Sequence, residues 1–132
     1  MDYDQSLASI KLVRLYRQLT EQLDQQLSGL GLKRGQHAIL LAIADLQAPK
    51  AADIACRLQV DKAAVSRSVA ACKKHGWVAA HAIDGKARSL QLTPAGQELV
   101  TEIRNALILV EQRFQQSVSA NLYQALLDER LL

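Results

Sequence analysis

Between residues 50 and 93 the apolar period of the chain changes once. Two short runs spaced for helices, separated by Gln59-Val60, give way to two runs spaced for strands that meet at Asp84-Gly85. In the first helical run Ala51, Ile54, Ala55 and Leu58 stand at i, i+3, i+4 and i+7, just after Pro49. Ala55 is small where a second helix must cross closely over the first. Asp61 then offers an N-cap whose carboxylate suits the positive end of the next helix dipole. In that next helix Val65, Ser68, Val69 and Cys72 form the inward stripe, leaving Lys62, Ala63, Ser66, Arg67 and Ala70 on the opposite face.

The helix ends in Lys73-Lys74-His75-Gly76, with glycine where a helix C-terminus needs a positive φ. Trp77-Val78 restarts the apolar run, and Asp84-Gly85 is a hairpin signal followed by the alternating Arg88-Ser89-Leu90-Gln91-Leu92-Thr93. Lys86 and Arg88 fall on or near the hairpin tip. Two helices crossing at a tight turn, then a basic hairpin, make the pattern of a winged helix-turn-helix, which sets one helix in the DNA major groove with the hairpin beside it. Arg67 and Ser66 are the expected contacts at or beside the bases, Lys62, Lys73 and Lys74 the expected phosphate contacts, and Ala63 leaves room for close approach.

Charge follows the same division. Residues 31–93 hold ten Lys/Arg against four Asp/Glu, whereas the flanks hold six against nine, so the net charge of +3 conceals a basic centre. A concentration of this kind is the electrostatic footprint of a nucleic-acid face.

Several stretches in order resemble the MarR (multiple antibiotic resistance regulator) family of bacterial transcription regulators. They are Gln36-His37-Ala38-Ile39-Leu40, Asp53-Ile54-Ala55 with Leu58, Val60 to Arg67, His75-Gly76-Trp77-Val78 and Leu92-Thr93-Pro94-Ala95-Gly96. Three positions depart from the family pattern: Lys33 stands where a capping Thr or Ser is usual, Gln59 replaces a small turn residue, and the wing's Asp-x-Arg reads Asp84-Gly85-Lys86. The resemblance implies a homodimeric repressor that answers to a small molecule and binds a near-palindromic double-stranded operator. It also implies a ligand site between the dimerisation helices and the DNA-binding lobe, for which Tyr16 and His37 are the candidates.

The flanks read as a dimerisation module. Leu12, Tyr16, Leu19, Leu23 and Leu27 recur at helical spacing, as do Leu99, Ile103, Leu107, Val110 and Phe114, with Val100, Ile108 and Leu109 widening the second stripe. Leu122, Tyr123, Leu126, Leu127 and Leu131 follow near the C-terminus. The expected dimer contacts are Leu12, Leu19, Leu23, Leu107, Phe114, Leu122 and Leu126.

The expected fold is therefore mainly α with a small β-wing of two to three strands, in a single domain over residues 1–132. Within it, residues 31–93 form the winged lobe and residues 1–30 and 94–132 the dimerisation helices. Expected helices span 5–28, 34–46, 50–58, 62–75, 94–117 and 120–130, and strands 78–83 and 88–92. Gly29 and Gly31 end the first helix, while Thr93 and Pro94 open the long one as N-cap and first residue.

Other classes find little support. His37, His75 and His81 fall on separate elements without a partner at metal-ligand spacing, and no phosphate loop or nucleophile motif exists, so neither an enzyme nor a cofactor or metal site is expected. Cys72 lies on the inward stripe and Cys56 on the preceding helix, which leaves a thiol-based switch at Cys56 as one alternative. A second is a winged-helix module that uses the same basic face on a protein. Trp77 is expected to pack between helix and wing, and the few aromatics provide no stacking platform for single strands. With no apolar stretch of about 18 residues and no signal-peptide pattern, a soluble cytoplasmic protein without membrane contact is expected.

Overall fold

The computed structural model describes residues 7–85 and 87–130. Among them six helices and one hairpin follow in order: α1 (Ala8–Ser28), α2 (Gln36–Asp45), α3 (Ala51–Leu58), α4 (Lys62–Lys74), β1 (Val78–Asp84), β2 (Ala87–Leu92), α5 (Pro94–Ser117) and α6 (Ala120–Leu127). The chain divides into two compact units: Leu27–Arg104, and the residues before and after it.

In the Leu27–Arg104 unit, α2 packs against α3, α4 and β2, and α4 packs against α3 and β1. Its core contains Leu40, Ile54, Val65, Cys72 and Ile103, all fully buried, with Ile39, Ile43, Val69, Val78 and Leu90 around them. The inward stripe of α4 is thus Val65, Val69 and Cys72 as its spacing predicts, with Ser68 half-buried at the margin. Burying side chains of this size contributes roughly 1.5–3 kcal/mol each.

Three helix ends are closed by one device. After α4, Gly76 N–H donates to Lys73 and Trp77 N–H to Cys72, with Gly76 at φ +78. After α1, Gly31 and Leu32 donate to Ser28 and Leu27 in the same way, with Gly31 at φ +81. After α3, Gln59 and Val60 donate to Cys56 and Ala55, but the left-handed residue is Gln59, at φ +55. This paired-bond closure normally takes glycine, because a Cβ crowds the carbonyl there.

Strands β1 and β2 pair antiparallel from Val78↔Leu92 to Ala82↔Arg88, with an irregularity between Ala82 and Asp84. The sheet has two strands, within the expected two to three, and Leu90 N–H also donates to the Pro49 carbonyl at 2.8 Å. That bond ties the entrance of α3 to the wing.

Thr93 and Gly96 join the end of α4 to the start of α5. The Thr93 hydroxyl donates to the Gly76 carbonyl at 2.6 Å and accepts from Gly96 N–H at 3.1 Å, while Thr93 N–H donates to the Trp77 carbonyl. A Cβ on Gly96 would collide with that same Trp77 carbonyl. Trp77 is half-buried and stacks on His75 with ring centroids 4.4 Å apart. On the surface, Asp45 of α2 pairs with Arg57 of α3 at 3.8 Å and Arg104 of α5 at 3.5 Å. All three side chains are about half exposed, so each pair is worth under about 1 kcal/mol.

In the other unit Val110 is buried, and Phe114 of α5 meets Tyr123 of α6 with ring centroids 6.2 Å apart. Tyr123 Oη donates to the Glu111 carboxylate, which holds the phenol above its ordinary range, and Ser119 caps α6 by accepting from Leu122 N–H.

Some boundaries differ from expectation. Helix α2 begins at Gln36 rather than 34, because Gly35 takes a left-handed φ of +85 and the Gln36 side chain reaches back to accept Lys33 N–H. Helix α6 stops at Leu127 rather than 130, because the Asp128 carboxylate accepts Arg130 N–H and draws in its guanidinium, a local turn that competes with the helix. Helix α1 runs from Ala8; residues 5 and 6 of its expected span lie outside the described residues, as do Lys86 and Leu131.

Candidate nucleic-acid interface

Helix α4 carries two exposed strips beside its buried one. Ala63, Arg67, Ala70 and Lys74 stand at i, i+4, i+7 and i+11 and are all exposed. Lys62, Ser66 and Lys73 are also exposed, but turned toward the wing, where they line a groove of about 470 Å³. Its other wall is Arg88 and Leu90 of β2 with Lys50, Ala51 and Ala52 at the start of α3; Val69 and Ala70 complete the lining. Arg88 and Leu90 share a strand face because they are two residues apart.

Among the described residues, four cations and no carboxylate line this groove. Of the residues expected to bind DNA, Lys62, Ser66, Lys73 and Arg88 come together on it, whereas Ala63, Arg67 and Lys74 do not line it. Lys86 is outside the described residues. Lys50 was not among the expected contacts: it is the N-cap residue of α3, 38 positions from Arg88, and the Leu90–Pro49 bond ties the two segments together. Its backbone is held from the other side as well, since Lys50 N–H donates to Asp53 Oδ2 at 2.8 Å.

Asp61 occupies the N-cap position of α4, but its carboxylate makes no cap bond; its carbonyl accepts Val65 N–H instead. The charge remains at the positive end of the helix, where its interaction with the dipole does not need contact.

The other expected residues are placed as follows. Tyr16 is exposed on α1 and His37 half-buried on α2. Leu12, Leu122 and Leu126 are exposed, and Leu19, Leu23, Leu107 and Phe114 half-buried. Cys56 is exposed and Cys72 buried, where loss of hydration pushes the Cys72 thiol up to about 11. Arg57, next to Cys56, is engaged with Asp45. Among the described residues no three His, Cys, Asp or Glu side chains gather as metal ligands, and no helix is long and apolar enough to cross a membrane.

A model of the MarR family matches residues 30–89, the stretch that contains α2, α3, α4 and most of the hairpin. The sequence matches no curated protein. Among solved structures the chain is similar to Bordetella bronchiseptica BpsR, described in connection with regulation of its DNA binding by 6-hydroxynicotinic acid. That likeness has 21% identity and a TM-score of 0.81, over 93% of this chain and 90% of that one. It is also similar to MepR from S. aureus in a DNA complex, with 18% identity and TM-score 0.80, over 91% and 90% of the two chains. A mutant MarR from E. coli complexed with operator DNA gives 18% identity and TM-score 0.80, over 96% and 93%. The helix-turn-helix, most of the hairpin and all four cations of the groove fall within residues 30–89, the stretch that matches the MarR family model, and the chain shares the winged-helix fold of these structures.

Proposed function

We propose that this protein is a sequence-specific, double-stranded DNA-binding transcription regulator, a repressor that acts as a homodimer and is released by a small molecule. The observation that carries the reading is the groove with Lys50, Lys62, Lys73 and Arg88 on its walls, set directly beside the exposed Arg67 strip of α4. Clustered cations attract the phosphate backbone without regard to sequence, and a guanidinium on an exposed helix face discriminates base edges. The DNA complexes of MepR and MarR, whose fold this chain shares, support a duplex as the partner. The small-molecule effector rests on the likeness to BpsR, with Tyr16 and His37 as its candidate contacts.

A two-fold pair of recognition helices calls for a near-palindromic operator with half-sites about 10 base pairs apart. The test is selection from a random duplex pool with the full chain, followed by titration across salt concentrations. Selected sequences with inverted symmetry and a steep salt dependence support the reading; absence of any duplex binding overturns it. Arg67→Ala is expected to cost about 1–3 kcal/mol on the selected site and to relax its sequence preference.

A further inference from the structure

In a B-form duplex, neighbouring major and minor grooves are separated by one sugar-phosphate strand. A protein that sets a helix in the major groove and the adjoining hairpin at the next minor groove must therefore receive that strand in the space between the two elements. Here that space is the groove between α4 and β2, and each of its walls carries two cations, Lys62 and Lys73 on one side and Lys50 and Arg88 on the other. The wall opposite α4 includes a residue from outside both elements, Lys50.

We infer that Lys50 is a backbone-positioning residue: together with Lys62, Lys73 and Arg88 it seats the single DNA strand that passes between recognition helix and wing, and Ser66 serves this strand rather than a base edge. The inference deepens the duplex-DNA reading and rests on it. Two bonds aim Lys50 at the groove. Leu90 N–H on the Pro49 carbonyl fixes the preceding residue to the strand that carries Arg88, and the Asp53 carboxylate holds the Lys50 amide. Both use main-chain groups of residues 49 and 50, so the side chain is exposed and its ammonium has no fold-forming task in either bond. Ser66 stands one turn beyond Lys62 on the groove strip, whereas Arg67 is one residue further round the helix and off the groove lining.

The experiment compares the full-length protein with Lys50→Ala, Lys50→Arg, Ser66→Ala and Arg67→Ala on two duplexes, one selected from a random pool and one of scrambled sequence. Lys50→Ala is expected to weaken both duplexes by the same factor and to flatten the salt dependence by about 0.9 in log–log slope per chain, so that between 50 and 200 mM salt its disadvantage shrinks about threefold for each chain engaged, or about twelvefold for a dimer with both. Lys50→Arg restores the slope. Ser66→Ala leaves the ratio between the two duplexes unchanged, in contrast to Arg67→Ala. Phosphate-ethylation interference with Lys50→Ala loses a signal on the strand between the contacted major groove and its neighbouring minor groove. An unchanged slope in a folded Lys50→Ala protein, or a loss confined to the selected duplex, overturns the assignment while the DNA reading stands. A wild-type chain without salt-dependent duplex binding overturns both.

Discussion

At the level of single residues, Gln59 and Cys72 show side chains set against their surroundings in opposite ways. Gln59 occupies a left-handed position that costs a non-glycine residue about 1–2 kcal/mol. Glycine removes that cost but loses about 0.4–1 kcal/mol through its freer unfolded chain. Gln59→Gly is therefore expected to raise stability by about 0.5–1 kcal/mol, read as a higher denaturant midpoint at unchanged slope; a lower midpoint would refute the strain argument. Cys72 is neutral and buried, with its thiol pushed from 9.0 to about 11. Below pH 9 it is protonated in both folded and unfolded chains. Between about 9 and about 11 only the unfolded chain ionises, so it binds fewer protons and stability falls as pH rises. The effect approaches 2–3 kcal/mol, on the order of 1.4 kcal/mol per unit, and Cys72→Val should abolish this slope. In the native protein a thiol reagent is expected to titrate Cys56 promptly and Cys72 only after unfolding; prompt reaction of both would contradict the burial. That burial also leaves Cys56 as the sole accessible cysteine for the alternative of a thiol switch.

At the level of elements, the ends of helices carry much of the architecture. The close of α4 and the opening of α5 are a single clasp, in which Thr93 bonds both Gly76 and Gly96 and the Trp77 carbonyl fills the place of a Cβ at position 96. The clash at Gly96 is with main chain, which cannot rotate away. Gly96→Ala is expected to destabilise the protein by about 1–3 kcal/mol, measured by urea unfolding, and to weaken DNA binding only in proportion to the unfolded fraction. If Gly96→Ala proves neutral, α5 does not approach Trp77 as described. The Leu92-Thr93-Pro94-Ala95-Gly96 stretch was legible in the sequence as a helix start, with Thr93 as cap and Pro94 as first residue. Its second role could not be read there, since the cap's partner lies 17 positions back at Gly76.

At the level of the whole molecule, the helices outside the winged unit expose more apolar surface than a single chain covers: Leu12 is 58% exposed and Ile108 56%, with Leu122, Leu126 and Leu127 also open. Exposed apolar residues in such number mark an association surface. Sedimentation of the full chain at micromolar concentration is expected to show a dimer, and Leu122→Asp with Leu126→Asp to shift it to monomer while the helical content is kept. The same double variant should bind a palindromic duplex more weakly than wild type and a single half-site equally well. A wild-type monomer under these conditions would remove the homodimer.

Local period and local caps were enough to place nearly every element, because the 3.6-residue and 2-residue patterns and the Gly76, Thr93, Pro94 and Asp84-Gly85 signals act between near neighbours in the chain. The outward residues of α4 followed from the same period, since whatever does not face the core faces out. What only tertiary structure decided is how those outward residues divide. Lys62, Ser66 and Lys73 turn toward Arg88, Arg67 stands apart from them, and Lys50 joins the groove from a third segment. No periodicity encodes that partition, because it depends on the crossing of α3 over α4 and on one bond, Leu90 N–H to the Pro49 carbonyl, between residues 41 positions apart. Charge composition placed the basic centre; packing made four of its cations into one surface.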